Sequence, residues 1–398
     1  MTDWNQFKGD PRHSGVRRDL EGPDRVSERW TADLVGPAGS PVLDRDTVFV
    51  GTSHGNCYAF DRETGRRRWT FETTVATDET PVVTRDSLFL GTEDGTVFAL
   101  DPATGDLQWE RALSDGREPA LALADGRLYV GHTAGVSTLE PATGETIWTH
   151  ETDAPVVGTP AAEHPRDRKR RHDRSHSPDE DELDLLSLED ARMDEEGTDD
   201  GTRVYVGTAD ETIHALAADT GEERWTAPVG GAVVDGPTIV DGRVYVADDD
   251  GTLVALHADN GQSWFTYRSQ DDFTTAPTVL PDASATFVGA ADGYLHVTDT
   301  TFGRRKLRGW LFSKKGVALD GEVRSSPVVV GDVLCVGDST GSLYGVDVSG
   351  DAEDCDLLWH FGLEDGVTAT PALGETELFV GGGDRLHCLE WTLEESRL

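Results

Sequence analysis

The chain has 398 residues, and 75 Asp and Glu against 35 Lys and Arg leave it a net charge of −40. Phosphate backbones and anionic lipid headgroups are repelled by such a surface, which argues against nucleic-acid binding and membrane docking. With 36% hydrophobic residues and 10 Trp, the chain can still build a packed core.

The basic residues are lopsided: Lys8, Lys169, Lys306, Lys314 and Lys315 are the lysines, and the rest are Arg. An acidic, Lys-poor surface on a foldable chain resembles proteins adapted to molar salt, where the Debye length falls to about 3 Å and self-repulsion is screened. The opening MTDWNQFKGDPRHSG has neither a basic nor an apolar targeting segment. No stretch approaches the roughly 18 apolar residues of a membrane span. The expectation is a cytoplasmic protein without membrane insertion. Cys57, Cys335, Cys355 and Cys388 form no CxxC pair, so they signal no zinc or redox motif.

From Pro41 onward the sequence repeats itself at a period of about 40 residues. Each unit opens near a Pro and gives an apolar run ending in Gly. A short turn, a second apolar run and Asp-x-x-Thr-Gly-x-x-x-Trp follow. The first unit runs Pro41 to Trp69, the second Pro81 to Trp109 and the third Pro119 to Trp148. The fourth begins at Pro160, resumes at Val204 and reaches Trp225. Then come Pro237 to Trp264, Pro277 to Trp310, Pro327 to Trp359, and an eighth unit from Pro371 that stops near Glu390. Within each unit, β-branched and aromatic runs are separated by turns such as Asp94-Gly95 and Asp241-Gly242, which are hairpin signals. Four strands, A to D, are predicted per unit. Repetition at this period predicts an all-β, eight-bladed β-propeller of four-stranded antiparallel blades, forming one domain over 1–398. The eighth unit lacks a Trp strand, whereas Val26 to Asp33 with Trp30 is an orphan. The N-terminal strand is therefore expected to complete blade eight and close the ring, which removes exposed edges.

The Asp-x-x-Thr-Gly-x-x-x-Trp turn resembles the tryptophan-docking motif of the PQQ-like, quinoprotein-type propellers. It is clearest at Asp61-Thr64-Gly65-Trp69 and Asp101-Thr104-Gly105-Trp109. Trp4, Phe7, Gly9, Asp10 and Gly15 are similar to that family's N-terminal signature. The resemblance implies that Trp30, Trp69, Trp109, Trp148, Trp225, Trp264, Trp310 and Trp359 stack between blades. Glu140, Ala217 and His257 replace the motif's Asp in units three to five, and unit six lacks Thr-Gly.

Two segments leave the consensus. Residues 162–202 interrupt the A–B hairpin of blade four with a basic run followed by an acidic one, and read as a disordered, solvated insertion. Gly303 to Lys315 carries Arg304, Arg305, Lys306, Arg308, Lys314 and Lys315 without an acid. It is a candidate docking patch for an acidic partner. The alternative is that Trp310 is the ordinary docking residue and the cations balance neighbouring acids. His214, His296 and His387 share a strand-C position in separated blades, which gives them packing roles and no shared metal.

The resembled family contains secreted dehydrogenases that use pyrroloquinoline quinone with calcium, and BamB-like members that bind no cofactor and act as protein-binding scaffolds. The residues favour a non-enzymatic, monomeric scaffold for an unidentified protein partner. Such dehydrogenases hold the quinone over adjacent cysteines, and none are adjacent here. The alternatives are a PQQ- and metal-dependent dehydrogenase, or a propeller binding a carbohydrate or other small ligand.

Overall fold

The computed structural model describes residues 4–113, 118–164, 201–307 and 315–391. Eight antiparallel sheets succeed one another in chain order. Blade one is Val42–Asp44, Thr47–Gly51, Asn56–Asp61 and Arg67–Glu72, strands A to D. The next six blades cover 82–112, 120–151, 156–228, 238–268, 278–318 and 328–362. Strand B is buried along its length apart from a half-buried first residue in blades three, four, five and eight, because both of its faces pack on neighbouring blades. Strand D forms the outer edge and is mostly exposed apart from its aromatic residue.

Blade eight takes three strands from the C-terminus and its D strand from the N-terminus. Ser27–Asp33 pairs antiparallel with Arg385–Glu390 in the register Trp30↔Cys388. The ring is closed by its own chain, so no blade keeps an unpaired edge at the seam. Blade seven gains a fifth strand, Val16–Arg17, lying parallel to Val328–Val330.

The docking residue of each blade sits in one register, opposite the strand-C residue two before the C–D turn. Trp30, Trp69, Trp109, Trp148 and Trp225 each donate Nε1–H to a carbonyl in the next blade's C–D turn, at 2.9–3.0 Å. Their rings lie on Gly65, Gly105, Gly144, Gly221 and Gly261, all with positive φ. A Cβ at Gly221 would fall 2.5 Å from the Trp148 ring, so glycine is required both for the backbone and for the close approach. Glu140, Ala217 and His257 are tolerated because the turn is closed by backbone: Gly144, Gly221 and Gly261 donate to their carbonyls at 2.8 Å. Blade eight has no continuous C–D turn, and Trp359 donates instead to Pro23 O at 2.8 Å.

One position, in blade five, corrects the sequence expectation. In blade five the docking register holds Phe265, opposite Ala255, and its ring meets Gly303. Trp264 comes one residue earlier, where Arg243 stacks on it at 4.2 Å while its Nε1 reaches Thr300 O at 3.2 Å. The cause is spacing: Trp264 follows Gly261 by three residues, and Trp69 follows Gly65 by four. In blade six the same four-residue spacing from Gly303 ends at Leu307, which is buried in the apolar cluster shared with blade seven. Trp310 lies outside the described residues.

Strand A of blade four ends at Glu163, which pairs with Arg203 at the start of strand B. The intervening 165–200, most of the expected insertion, lie outside the described residues.

Candidate functional site

The inner edge of every A strand faces the propeller axis and leaves backbone N–H groups to be satisfied. Residues 4–17 satisfy them as a strap laid across successive blades. Leu43, Val83, Ala162, Ile239 and Val329 donate to the carbonyls of Trp4, Asn5, Pro11, Arg12 and Gly15 at 2.7–2.9 Å. Leu123 exchanges two hydrogen bonds with the Gln6 amide, at 2.8 and 3.2 Å. Blade six is reached by a side chain: Lys8 Nζ donates to Pro277 O at 2.6 Å and to Thr278 Oγ1 at 2.7 Å. A depression of about 430 Å³ remains where the strap crosses blades one to three, lined in part by Asn5, Gln6, Asp10, Asp44, Arg85 and Asp125.

Beneath the strap the groups near the axis are polar and bonded to one another. Burial lowers the Lys8 ammonium to about 7, against the opposing pull of Asp235 and Asp10. His13 donates Nδ1–H to Pro237 O at 2.8 Å, which leaves Nε2 buried without a partner. Burial brings this imidazole down to about 4 and keeps it neutral. Burial raises the Asp235 carboxyl, although Ser326 Oγ donates to it at 2.7 Å. Ser326 Oγ also accepts from Ala276 N at 2.9 Å, Ser326 N donates to Thr370 Oγ1, and Thr370 N donates to Ser40 Oγ. These bonds join blades five, six, seven, eight and one across the axis, so the groups there are spent on one another. At the start of strand A in blade three, burial and the nearby Glu79 and Asp78 charges push Glu118 up to about 9, despite the Glu79 N–H it accepts at 3.0 Å.

The acidic B–C turns anchor the backbone. Asp248 accepts from the amides of Gly230, Gly231, Asp250 and Thr252. Asp338 accepts from Gly321, Thr340, Ser342 and the Tyr344 hydroxyl. Both residues are fully buried. Burial raises Asp248, whereas at Asp338 burial is outweighed by its hydrogen bonds, led by Thr340 Oγ1, and the carboxyl is lowered.

The candidate docking patch of blade six is split by the fold. Arg304 and Arg305 are exposed in the C–D turn beside Phe302, itself 60% exposed, with the Arg304 guanidinium 5.1 Å from the Phe302 ring centre. Lys306 donates to Ser284 O at 3.2 Å. The Lys315 side chain reaches towards the B–C turn, where it is bound to Asp292 and stacked on Tyr294, and Asp292 raises it. Strand D leaves its ladder after Arg305, paired with Thr298, and resumes at Gly316, paired with His296. Arg308 and Lys314 lie outside the described residues.

A quinone carrying carboxylates, held with calcium, fits these residues poorly. The cation under the strap, Lys8, is already committed to Pro277 and Thr278. Further negative charge near the axis is disfavoured where Glu79 and Asp78 already hold Glu118 in its protonated form. Cys57, Cys335 and Cys388 are buried in blades one, seven and eight, with thiols pushed up to about 12, and Cys355 stands apart in blade seven.

The model of the family described as outer membrane protein assembly factor BamB matches residues 24–120 and 186–354. No curated protein sequence matches. Among solved structures, BamB from Moraxella catarrhalis is 18% identical, over 92% of this chain and 100% of that one, with a TM-score of 0.67. A europium-containing methanol dehydrogenase is 14% identical, over 98% of both chains, with a TM-score of 0.68. The quinohemoprotein alcohol dehydrogenase of Comamonas testosteroni is 14% identical, over 100% of this chain and 82% of that one, with a TM-score of 0.69. Identities this low show a shared fold, which carries both kinds of protein. With eight closed blades, a recurrent docking register and a family match over more than half its length, the chain belongs to the BamB family of PQQ-like propellers.

Proposed function

We propose that the protein is a non-enzymatic scaffold that binds an acidic protein partner through the C–D face of blade six. The observation that carries this reading is the state of the axis. The strap and the Ser326–Asp235 and Thr370–Ser40 bonds occupy with the protein's own groups the place where a propeller would receive a small ligand. Nucleophile, base and orienting group are not brought together there: His13 faces Pro237 and Lys8 faces Pro277. By contrast, Phe302, Arg304 and Arg305 form an exposed aromatic and cationic knob on a chain of charge −40, and aromatic and Arg residues are the usual anchors of interfaces.

The proposal includes an intracellular location. Among the described residues, no helix is long and apolar enough to cross a membrane. The test is capture of partners from a native extract in molar KCl by the wild type, by Arg304→Glu/Arg305→Glu, and by a chain lacking 165–200, which leaves the paired Ala162 and Glu163 in place. A specific partner lost on charge reversal supports the reading, because exposed charges govern encounter more than folding. Capture indifferent to both changes removes blade six as the docking face. Saturable micromolar quenching of Trp fluorescence by quinone with calcium, accompanied by dye-coupled alcohol oxidation, overturns the scaffold reading as a whole.

A further inference from the structure

A second column of contacts crosses the blade seams outside the docking residues. The side chain two places after the docking residue meets the strand-C side chain of the next blade. Phe71, after Trp69, packs on Phe98 with centroids 5.5 Å apart. Tyr267, after Phe265, has its hydroxyl 2.9 Å from His296 Nδ1. Phe98, His214 and His296 hold one register, opposite Leu90, Val206 and Val288 of their B strands.

At the seam of blades three and four both positions of the column are histidines. His150 follows Trp148 and faces His214 with centroids 6.2 Å apart. Glu223, at the start of strand D in blade four, completes the group. Its Oε2 is 3.1 Å from His214 Nδ1 and 3.8 Å from His150 Nε2. The three ligand atoms lie within 4.8 Å of one another. The geometry points to a divalent transition-metal site, of the zinc class, that clips blade three to blade four.

Two imidazoles and one carboxylate suit a borderline metal such as zinc, whereas magnesium and calcium prefer sites made of oxygen ligands. Tetrahedral bonds of about 2.0–2.1 Å place ligand atoms roughly 3.3–3.5 Å apart. The observed separations bracket that value, so closure requires an imidazole shift of about 1 Å. Glu223 is half-exposed and leaves a solvent-facing fourth position for water. The contrast with seam five–six supports the assignment. There His296 is buried, and its Asp292 is already neutralised by Lys315. Among the described residues, the ion-pair partners of Glu223 are His150 and His214.

The test is independent of the scaffold reading. Cobalt(II) is titrated into the full chain in molar KCl, with millimolar magnesium occupying the weak carboxylate sites. The expected result is the intense visible absorption of four-coordinate cobalt, saturating at one equivalent and displaced by zinc, with zinc raising the melting temperature. His150→Gln and His214→Gln each abolish the band at one equivalent and the zinc-dependent melting shift. Melting of the metal-free variants reports whether they fold, and His150→Gln, on the outer strand, carries the test should His214→Gln fail to fold. The absence of a saturable band, or a band that persists in the double variant, overturns the site.

Discussion

Replacing Glu118 by Gln should make the protein more stable at neutral pH. The carboxyl is 9% exposed, and burial together with the charges of Glu79 and Asp78 lifts it from 4.5 to about 9. Between those values the folded state holds a proton that the unfolded state releases, so stability falls as pH rises. The favourable protonated state is fully expressed below 4.5 and lost through about 9. Each pH unit in this window costs about 1.4 kcal/mol, so at pH 7.5 the deficit is on the order of 4 kcal/mol. Gln has the same shape. Its Oε1 can accept the Glu79 N–H, and its Nε2–H can replace the donor that protonated Glu118 offers to Asp78. The assay is urea unfolding in molar KCl at pH 4.5, 6 and 7.5, followed by Trp fluorescence. Wild type and Glu118→Gln should converge at pH 4.5 and separate progressively above it. Two curves that stay parallel across the range would refute the assignment of this carboxyl as a buried acid.

Lys8 should contribute the opposite slope: burial lowers it from 10.5 to about 7, so stability rises with pH across that interval, and Lys8→Met should remove the rise in pH-dependent urea unfolding. Melting temperature should climb steeply from low to molar KCl as the charge of −40 is screened, and a melting temperature independent of KCl would count against adaptation to high salt. Removal of residues 1–36 takes away strand D of blade eight, Trp30 and the strap, and should yield no cooperatively folding protein. Removal of 1–17 alone should leave a soluble ring with a lowered melting temperature, because strand D of blade eight persists while the A-strand edges lose their acceptors.

The ring was legible because each blade writes its own punctuation. Gly65 and Trp69 name a turn and a docking residue in one string, and the orphan Val26 to Asp33 named the closing strand. The strap was not legible, since it bonds blades one, two, four, five and seven through backbone amides, and backbone bonding leaves no side-chain pattern. Lys8 and His13 are buried because the strap crosses the axis, which their sequence context does not announce. His214 shares its strand-C position with His296 and His387 of separated blades, whereas its spatial neighbour is His150, from the preceding blade's outer strand. That pairing follows from the docking register: two residues beyond the docking position, each blade faces strand C of the next. The cationic run of blade six is continuous in sequence, but strand D resumes at Gly316 only two strand-C residues from where it left at Arg305, and the Lys315 side chain turns towards Asp292 in the B–C turn.

Blade five, whose docking register holds Phe265, shows what a docking tryptophan does. A docking indole fills the seam with its ring and satisfies a turn carbonyl with its N–H. Blade five divides these tasks between neighbours: Phe265 fills the seam over Gly303, and Trp264, pointing away, bonds the Thr300 carbonyl of the same turn. In blade six Leu307 joins the apolar cluster that contains Val348 and Ala352 of blade seven's longer turn. A propeller is a closed array in which each blade contacts its neighbours, so its stability is governed by seam terms. Loss of an indole hydrogen bond of about 1 kcal/mol is therefore tolerable where another contact spans the same seam. The strap spans every seam from blade one to blade seven, and its parallel strand Val16–Arg17 is laid on blade seven, next to the Leu307 seam. The same strap that closes the axis thus frees individual seams from a strict docking consensus. Drift at the docking positions is concentrated in blades five and six, which Lys8 and Arg12 tie down from the centre.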